Sequence, residues 1–520
     1  MRYKILSVFA ALAAISACGD LTSINKNPNG PEDAPPTSIL PNVIQTLAGT
    51  VDGVTSLNIR GGGLWVQYYS EIQYRDEDKF VVRSGTSGGW GMYNGVLEDV
   101  QRIIQKGQAS SVPNWSAVGR ILKAYTFSVM TDAMGDLPYT EALKGDTILH
   151  PAYDTQQTIY DSLFANLALA NSEFDFSGSA TGFSSGDLLY DGDLAKWQKF
   201  ANSLRLRLAI HLSNANQVQA QSEAAAAVAA AGGLFTSNAD NAQLMYLASS
   251  PNQNPIYGDA HIGNRDDYGL SRSFVDTLNS WNDPRLPVYA QLPPADTVPP
   301  FVYRGLPNGL LDGEKIDTLD ALKYISRIGA LWRETPAAPL ELLTYSEVLF
   351  LQAEAAERGW IPGGTAAAAT FYTDAITASM QQYGVAAADI ATYEAQGKVA
   401  YDSAYDSNGI PLGATLAGHL QQIAFQKWLS MYMQGPEAWT EWRRRLVPTI
   451  VAGCHAVFDQ LPERLPYDDN EGVLNKANLD AAVASQGFGA GNNLTKPLWF
   501  TGRTTSPTAP APAYCPPGSR

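Results

Sequence analysis

Apolar residues recur at helical spacing in three segments of the chain. In the first, one face carries Val118, Ile121, Leu122, Tyr125 and Val129. A second stripe consists of Trp197, Phe200, Leu204, Leu208, His211 and Leu212, and a third of Leu342, Tyr345, Leu349, Ala353 and Ala356. Spacings of three and four residues predict helices that bury one side. The pattern therefore predicts a mainly α-helical protein.

The third stripe is followed by a second helical segment. The first helix breaks at Gly359, and after the sequence "IPGG" small and aromatic residues recur at Ala368, Tyr372, Ala375 and Ile376. This spacing is that of the second helix of a tetratricopeptide repeat, although the turn is about three residues longer than the repeat allows. Small residues let two helices pack closely, so we expect helix pairs that stack as an α-solenoid scaffold.

Irregular segments separate the predicted helices. Alternation of apolar and polar residues is scarce and local, which excludes an extensive β-sheet. We predict long irregular loops at 76–95, 175–193, 247–272 and 291–320.

The N-terminus has the pattern of a lipoprotein signal. Arg2 and Lys4 precede an apolar run over 5–15, which is too short to span a bilayer as a mature helix. The following Ile-Ser-Ala-Cys, ending at Cys18, resembles a bacterial lipobox. We predict a signal peptide over 1–17, lipid attachment at Cys18, an Asn- and Pro-rich tether over 18–41, and a single folded domain over 42–520.

Charge and cysteine usage limit the possible partners. The chain carries 35 Lys and Arg against 51 Asp and Glu, a net charge of −16. This charge repels nucleic acid and anionic lipid headgroups, so no nucleic-acid partner is predicted. With Cys18 lipidated, Cys454 and Cys515 remain as one pair, and the sequence leaves open whether they form a disulfide that pins the Pro-rich C-terminal tail.

Candidate catalytic motifs lack their required context. Ser87 in "GTSGG" and Ser184 in "GFSSG" match a hydrolase nucleophile pattern, but that pattern needs a strand before it and a helix after it. The histidines are scattered without metal-ligand spacing, so we predict no catalytic residue, no metal and no cofactor. A glycosidase carboxylate pair stays open, because its separation depends on the fold.

Two acidic clusters leave calcium binding open. The clusters at 191–193 ("DGD") and 468–471 ("DDNE") lack the complete spacing of a calcium-binding EF-hand loop. For the first we favour a structural role, in which Asp193 caps the helix that begins with "LAKW".

Aromatic and polar residues concentrate in the predicted loops. Flat aromatic faces beside amide, guanidinium and carboxylate groups suit a polar organic ligand. The predicted ligand-binding residues are Trp90, Tyr93, Tyr257, Asn264, Arg265 and Tyr268.

The stretch "YMQGPEAWTEWRRR" over 432–445 predicts a rigid corner instead of a binding site. Pro436 suits the first turn of a helix. In that helix Arg443 lies one turn from Trp439, and Arg445 lies one turn from Glu441. We expect an Arg–Trp stack and a Glu–Arg pair that hold the framework together.

Several segments, taken in order, resemble the SusD/RagB family of outer-membrane nutrient-binding lipoproteins, especially its second SusD-like subgroup. They are "NKNPNGP", "TDAMGDLPYTEAL", "KWQKFANSLRLRLAIHLS", "DPRLPVYA", "LTYSEVLFLQAEAAERGW", "ITASMQQYGV" and "QKWLSMYMQGPEAWTEWRRRLVP". The resemblance departs at Met134, where the family commonly has Trp, and at Arg445, where it has Thr.

The resemblance implies a tetratricopeptide-like helical scaffold anchored by lipid at the cell surface. It also implies a SusC-like TonB-dependent transporter as partner, with this protein as its lid, and a glycan, oligosaccharide or peptide ligand that is bound without chemistry. The ligand residues vary across the family, so our candidates come from the residues alone. The alternatives are a secreted or surface hydrolase and a structural tetratricopeptide adaptor.

Overall fold

The computed structural model describes residues 34–54, 57–83, 89–177, 182–183, 186–403, 410–489, 493–509, 511–515 and 519. Within them the chain is mainly helical, as the sequence predicts. The helices of the first half are α1 (Pro36–Asp52), α2 (Glu98–Ala109), α3 (Pro113–Met134), α4 (Gln156–Glu173), α5 (Leu194–His211), α6 (Gln217–Ala229) and the short α7 (Pro255–Tyr257).

The second half continues the helical pattern with shorter connecting elements. Its helices are α8 (Arg272–Ser280), α9 (Leu286–Tyr289), α10 (Ala330–Arg333), α11 (Tyr345–Glu357), α12 (Gly364–Gln382), α13 (Ala387–Glu394), α14 (Leu416–Ser430), α15 (Gly435–Arg445), α16 (Glu471–Leu474) and α17 (Lys476–Ser485).

Strands are short and form separate antiparallel pairs. They are β1 (Tyr69–Glu71), β2 (Ala242–Met245), β3 (Tyr268–Leu270), β4 (Ala290–Gln291), β5 (Arg327–Ile328) and β6 (Pro339–Leu343). β1 pairs with β3, β2 with β6, and β4 with β5. The scarcity of strands in the described residues agrees with the sequence prediction.

Neighbouring helices pack in pairs around one shared core. α2 lies against α3, α3 against α4, α5 against α6, and α11 against α12. α11 also contacts α5 and α14, which joins the first helix pairs to the C-terminal ones. In α12, Ala368, Tyr372, Ala375 and Ile376 are buried, which confirms the predicted close helix pair.

The predicted apolar stripes form the interior of these pairs. Leu122 of α3, Leu204 of α5 and Ala353 of α11 have no exposed surface. Their burial explains why the helices form, because packing of an apolar face stabilises a helix more than propensity alone. No helix of the described residues is long and apolar enough to cross a membrane.

Side-chain caps fix the start of several helices. Asp193 accepts hydrogen bonds from the backbone N–H groups of Ala195 and Lys196 at the start of α5, as predicted. Thr344 accepts from the N–H of Glu347 at the start of α11. These acceptors satisfy backbone donors that a helix start leaves free.

The folded body begins earlier than the sequence suggests. α1 starts at Pro36, and its residues Ile39 and Leu40 are buried in the main core. The predicted boundary between tether and domain, placed after residue 41, is therefore too late. A proline-rich segment is typical of a linker, which explains the late boundary. Pro36, however, is well suited to the first turn of a helix.

Cys454 and Cys515 form a disulfide, which settles the question that the sequence left open. The bond joins the C-terminal tail to a small second core, in which Cys454 packs with Ile72, Leu306, Leu310 and Ile325. Tyr514 packs against this core, and the Arg272 guanidinium lies 5.2 Å from the centre of its ring. The tail is thus held against the side of the body that carries β1 and β3.

Candidate ligand-binding site

Trp90 and Tyr93 lie together at the entrance to α2. Their ring centres are 5.2 Å apart in an edge-on arrangement. The Tyr153 ring stacks beside Trp90 at 6.2 Å, and Tyr467 meets Trp90 edge-on at 6.1 Å. We refer to these four side chains as the aromatic cluster. Trp90, Tyr93 and Tyr153 are only half-buried, so part of the cluster faces solvent.

Hydrogen bonds hold the tyrosines of the cluster in place. The Tyr93 hydroxyl donates to the carbonyl oxygen of Pro138 at 2.6 Å, and the Tyr153 hydroxyl donates to Glu471 Oε2 at 2.7 Å. Burial raises the pKa of both phenols, and the neighbouring Glu471 carboxylate raises the pKa of Tyr153 further. Both hydroxyls are therefore neutral at physiological pH and remain donors.

A cleft of about 220 Å3 opens beside the cluster. Its wall combines Trp90 and Tyr93 with the charged side chains Glu98, Glu141, Lys144 and Glu471. It is smaller than the ~300–1,000 Å3 of drug-sized ligand sites, so it suits one ring or one end of a longer molecule. Aromatic faces next to hydrogen-bonding groups provide stacking and directional contacts in the same place.

A second, more open groove of about 830 Å3 lies across residues 142–144 from the cleft. Its polar side chains come from α2, α3 and α4 and include Gln101, Lys123 and Asn166. Lys123 donates to Gln101 Oε1 at 3.1 Å. The two openings share the wall at 142–144, so together they offer an extended surface.

Tyr257 and its neighbours form a separate group between α7 and β3. The Tyr257 ring stacks on His261 with ring centres 4.6 Å apart, and Nε2 of His261 lies 2.8 Å from Glu334. Tyr257 is half-buried and His261 is exposed. This pair lies on a different element from the aromatic cluster.

Asn264 and Arg265 are exposed in the same segment. Asn264 adopts a positive φ of 49°, a conformation that asparagine tolerates better than most residues. Arg265 Nε donates to Asp267 Oδ2 at 2.8 Å, and its guanidinium lies 5.4 Å from the Tyr74 ring centre. The side chain is thus already paired, and Tyr74, 54% exposed, offers the more open surface.

Tyr268 does not lie on an exposed loop, and that expectation is wrong. The residue opens β3, is paired with Glu71 of β1, and is only 5% exposed. Its hydroxyl accepts a hydrogen bond from Arg60 Nε at 3.4 Å. The polar residues before it suggested a continuous loop, whereas pairing with β1 carries the tyrosine into the core.

The structure thus brings Trp90 and Tyr93 together and leaves Tyr257, Asn264 and Arg265 in a second group. The sequence reasoning missed Tyr153 and Tyr467 as neighbours of Trp90. Both are distant along the chain, and no local pattern connects them to Trp90. Tyr467 meets both Trp90 and Tyr153 edge-on, and Glu471 accepts from Tyr153, so the chain around 467–471 joins these rings.

The stretch over 432–445 is buried framework. The Arg443 guanidinium stacks on Trp439, which confirms the predicted contact. The predicted pairing of Glu441 with Arg445 is wrong: Glu441 Oε2 lies 2.7 Å from Arg444 Nη2. Arg444 is directed into the core, where Glu354 also binds it at 2.6 Å, whereas Arg445 is only half-buried.

The candidate hydrolase serines, Ser87 and Ser184, lie outside the described residues. Among the described residues, His211, Glu437 and Glu441 have ligand atoms within 4.8 Å of one another. Burial lowers the pKa of His211, but the Glu437 and Asp132 carboxylates overcome this and raise it to about 9. The ring nitrogens of His211 lie 3.0 Å from Asp132 Oδ2 and 2.9 Å from Glu437 Oε1, so in this structure the cluster is an ion-pair network.

Solved structures resemble this chain over most of its length. A chitin-binding protein is 28% identical, with a TM-score of 0.74 over 90% of this chain and 99% of that one. A SusD homolog from Bacteroides fragilis is 22% identical, with a TM-score of 0.76 over 91% and 100%. A chitin-binding SusD homolog from Flavobacterium johnsoniae is 24% identical, with a TM-score of 0.73 over 90% and 98%. The last two structures show that this chain has the same fold as they do.

Sequence comparison reaches the same group of proteins. No curated protein sequence matches the chain. Residues 28–468 match the second SusD-like family, described as "Starch-binding associating with outer membrane". This match spans the helix pairs, the aromatic cluster and the buried framework. The chain belongs to the SusD-like family of outer-membrane-associated nutrient-binding proteins.

Proposed function

We propose that this protein is a cell-surface lipoprotein that captures a nutrient polymer and acts as the lid of a SusC-like TonB-dependent transporter. Family membership over residues 28–468 is the observation that carries this proposal. The ligand would be trapped between lid and barrel and then imported through the outer membrane. Binding without turnover is part of this proposal, because the family and the 28% identical relative are described by what they bind.

The aromatic cluster is the proposed ligand contact. Its three tyrosine rings are held by hydrogen bonds before any ligand arrives, which lowers the entropy lost on binding. The 28% identical relative is a chitin-binding protein, so chitin fragments are the first ligands to test. Other oligosaccharides and peptides form the comparison set.

The test measures binding of chitin oligosaccharides to wild-type protein and to Trp90→Ala by calorimetry, while products are followed by chromatography. The expected result is binding without cleavage, weakened up to about tenfold in the variant, since an aromatic stacking contact contributes up to about 1.5 kcal/mol. Phe176→Ala is the matched control, because Phe176 is 56% exposed and lies in another loop. Protein-dependent cleavage, or equal affinity in all three proteins for every ligand that binds, would contradict the proposal.

Membrane attachment and the partner are tested separately. Cys18→Ala should abolish labelling with a radioactive fatty acid, since the lipobox-like pattern ends at that residue. A tagged wild-type copy, solubilised in mild detergent, should co-purify a TonB-dependent barrel in near-equal amount. Label on the variant would rule out lipidation at Cys18, and purification without a barrel would rule out the lid role.

A further inference from the structure

The groove of about 830 Å3 beside the cleft has the ammonium group of Lys123 in its wall. Lys123 belongs to α3, and its Nζ donates to Oε1 of Gln101 in α2 at 3.1 Å. The same ammonium lies 5.5 Å from the centre of the Tyr139 ring, at the distance of a cation–aromatic contact. Tyr139 is buried and Lys123 is half-buried. The positive charge is therefore held at a defined place in the groove.

The side chains that support Lys123 are themselves held by hydrogen bonds. Asn166 of α4 donates from Nδ2 to the Tyr139 hydroxyl at 3.0 Å. Its Oδ1 accepts from Arg120 Nη1 at 3.3 Å, and Arg120 Nε lies 2.9 Å from Glu173 Oε2. These contacts connect α3 with α4, and the bond to Gln101 adds α2. A wall that is organised in advance reduces the entropy lost when a ligand binds.

Lys123 forms no ion pair with an acidic side chain of the described residues. Its hydrogen bond goes to an amide oxygen, whereas the neighbouring Arg120 is paired with Glu173. In the described part of the chain, no carboxylate lines the groove. Burial lowers the pKa of Lys123, and the positive charge of Arg120 lowers it further. An anion at this position would stabilise the charged form of the lysine.

A second ammonium lies at the wall that the groove shares with the cleft. Lys144 is exposed and lines both openings. Beyond this residue the two openings differ in charge. The cleft is lined by Glu98, Glu141 and Glu471, whereas the described lining of the groove contains two lysines and no acid. A ligand that spans both openings therefore has its anionic group in the groove and an uncharged part in the cleft.

The net charge of −16 does not prevent an anion from binding in the groove. At about 0.1 M salt, charges more than about 10 Å away are largely screened. The groups that line the groove thus determine which ion it attracts.

The remaining polar side chains of the groove carry amide or hydroxyl groups. They are Gln101, Gln105, Thr140, Thr147, Ser162 and Asn166. Such groups both donate and accept hydrogen bonds, as the hydroxyls of a sugar do. The lining therefore suits a polyhydroxylated chain that carries acidic groups at intervals.

We propose that the groove binds the carboxylate or sulfate group of an acidic glycan through Lys123 and Lys144, while the aromatic cluster holds an uncharged ring of the same glycan. This inference rests on the proposed function and specifies the class of its ligand. Carboxylate and sulfate both accept charge-assisted hydrogen bonds from an ammonium. The glycan would lie across the wall at 142–144.

The test uses calorimetry on the full chain with a short hyaluronan oligosaccharide, in which N-acetylglucosamine alternates with glucuronic acid. The same oligosaccharide with methyl-esterified carboxyl groups is the uncharged comparison, and chondroitin with and without sulfate distinguishes sulfate from carboxylate. The acid form should bind about tenfold more tightly than the ester, because a charge-assisted hydrogen bond adds roughly that factor. Raising the salt from about 0.1 M to about 1 M should remove most of this preference, because the Debye length falls to about 3 Å.

Three variants locate the anion. Lys123→Met keeps the length of the side chain but removes its charge, so it should abolish the preference for the acid form. Lys144→Met changes an exposed residue and should reduce the preference in part. Lys323→Met is the matched control and should keep the wild-type preference. The Lys323 ammonium also lies against a ring, 4.8 Å from the centre of Tyr324, but the residue is exposed and lines neither opening.

Several results would overturn the proposal. Equal affinity of wild-type protein for the acid and ester forms would do so, as would no binding of any acidic oligosaccharide, and neither result needs a variant to fold. An unchanged preference in Lys123→Met would exclude the groove as the anion site. Tighter binding of a glutamate peptide of the same charge would assign the groove to acidic peptides. In each case, binding of uncharged chitin fragments that depends on Trp90 would still support the proposed function, so the two proposals fail separately.

Discussion

The guanidinium carbon of Arg443 lies 3.6 Å from the centre of the Trp439 ring, and both side chains are buried. Arg443 also donates to the carbonyl oxygens of Asp132 and Glu463. One cation thus ties α15 to the end of α3 and to the segment before residue 465.

Arg443→Lys should destabilise the protein markedly, although the charge is kept. Lysine cannot stack as a planar group or reach both carbonyls in the same geometry, so buried acceptors lose their donors. We expect a loss of about 2–4 kcal/mol in the free energy of unfolding, measured by chemical denaturation. Arg102→Lys, a change at a mostly exposed arginine of α2, is the control and should change stability little.

Tyr153 should matter for ligand binding through its ring more than through its hydroxyl. Tyr153→Phe keeps the stack on Trp90 and removes only the hydrogen bond to Glu471, so affinity for the ligand should fall at most a few-fold. Tyr153→Ala removes the support of Trp90 and should weaken binding about tenfold. Calorimetry with the ligand found for wild type compares the two, and equal effects of both variants would contradict the stacking role.

Tyr268 and Tyr257 should behave differently when truncated. Tyr268→Ala leaves a cavity in the paired strands β1 and β3 and should cost about 2–4 kcal/mol of stability. Tyr257→Ala removes a half-buried ring stacked on His261 and should cost less than about 1 kcal/mol. Thermal denaturation measures both, and a stable Tyr268→Ala protein would show that the burial of this ring contributes little.

The free energy of unfolding should fall as the pH rises above neutrality, because His211 loses its proton. Its pKa in the folded protein is about 9, against about 6.5 in an unfolded chain. The contribution of the imidazolium is fully present below pH ~6.5 and is lost between there and pH ~9, with a total on the order of 3 kcal/mol. The groups that face it are Asp132 of α3, Tyr160 of α4, and Glu437 and Glu441 of α15.

The measurement is the free energy of unfolding between pH 6 and pH 10 in wild type and in His211→Gln. The variant is expected to be less stable at neutral pH, but its curve should be flatter across this window. Parallel curves for the two proteins would assign the pH dependence to other groups.

Helix positions were predictable because a helix that buries one face has apolar residues at spacings of three and four along the sequence. The stripe from Val118 to Val129 becomes α3, and Asp193 caps α5 as its position before "LAKW" suggests. Local signals of this kind need only neighbouring residues. They failed at Pro36, where a proline-rich start concealed a helix, because the apolar face of α1 becomes evident only several residues later.

The candidate site was only partly predictable because its neighbours are distant along the chain. Trp90 and Tyr93 are close in sequence, so their proximity could be expected, whereas Tyr153 and Tyr467 join them only through the tertiary fold. Tyr268 was predicted to lie in a binding loop because its local sequence is polar. The pairing of β3 with β1 buries it instead. The choice between Arg444 and Arg445 as partner of Glu441 was likewise decided by Glu354, more than 80 residues away.

The bond between Cys454 and Cys515 also affects what a protease can achieve. The exposed segment around α16, where Val473 is 83% exposed, lies between the two cysteines. A cut there would separate the chain into two peptides that stay covalently joined, so the C-terminal fragment could not leave. Nicked molecules would migrate as intact protein on a non-reducing gel and would separate into two fragments once reductant is added.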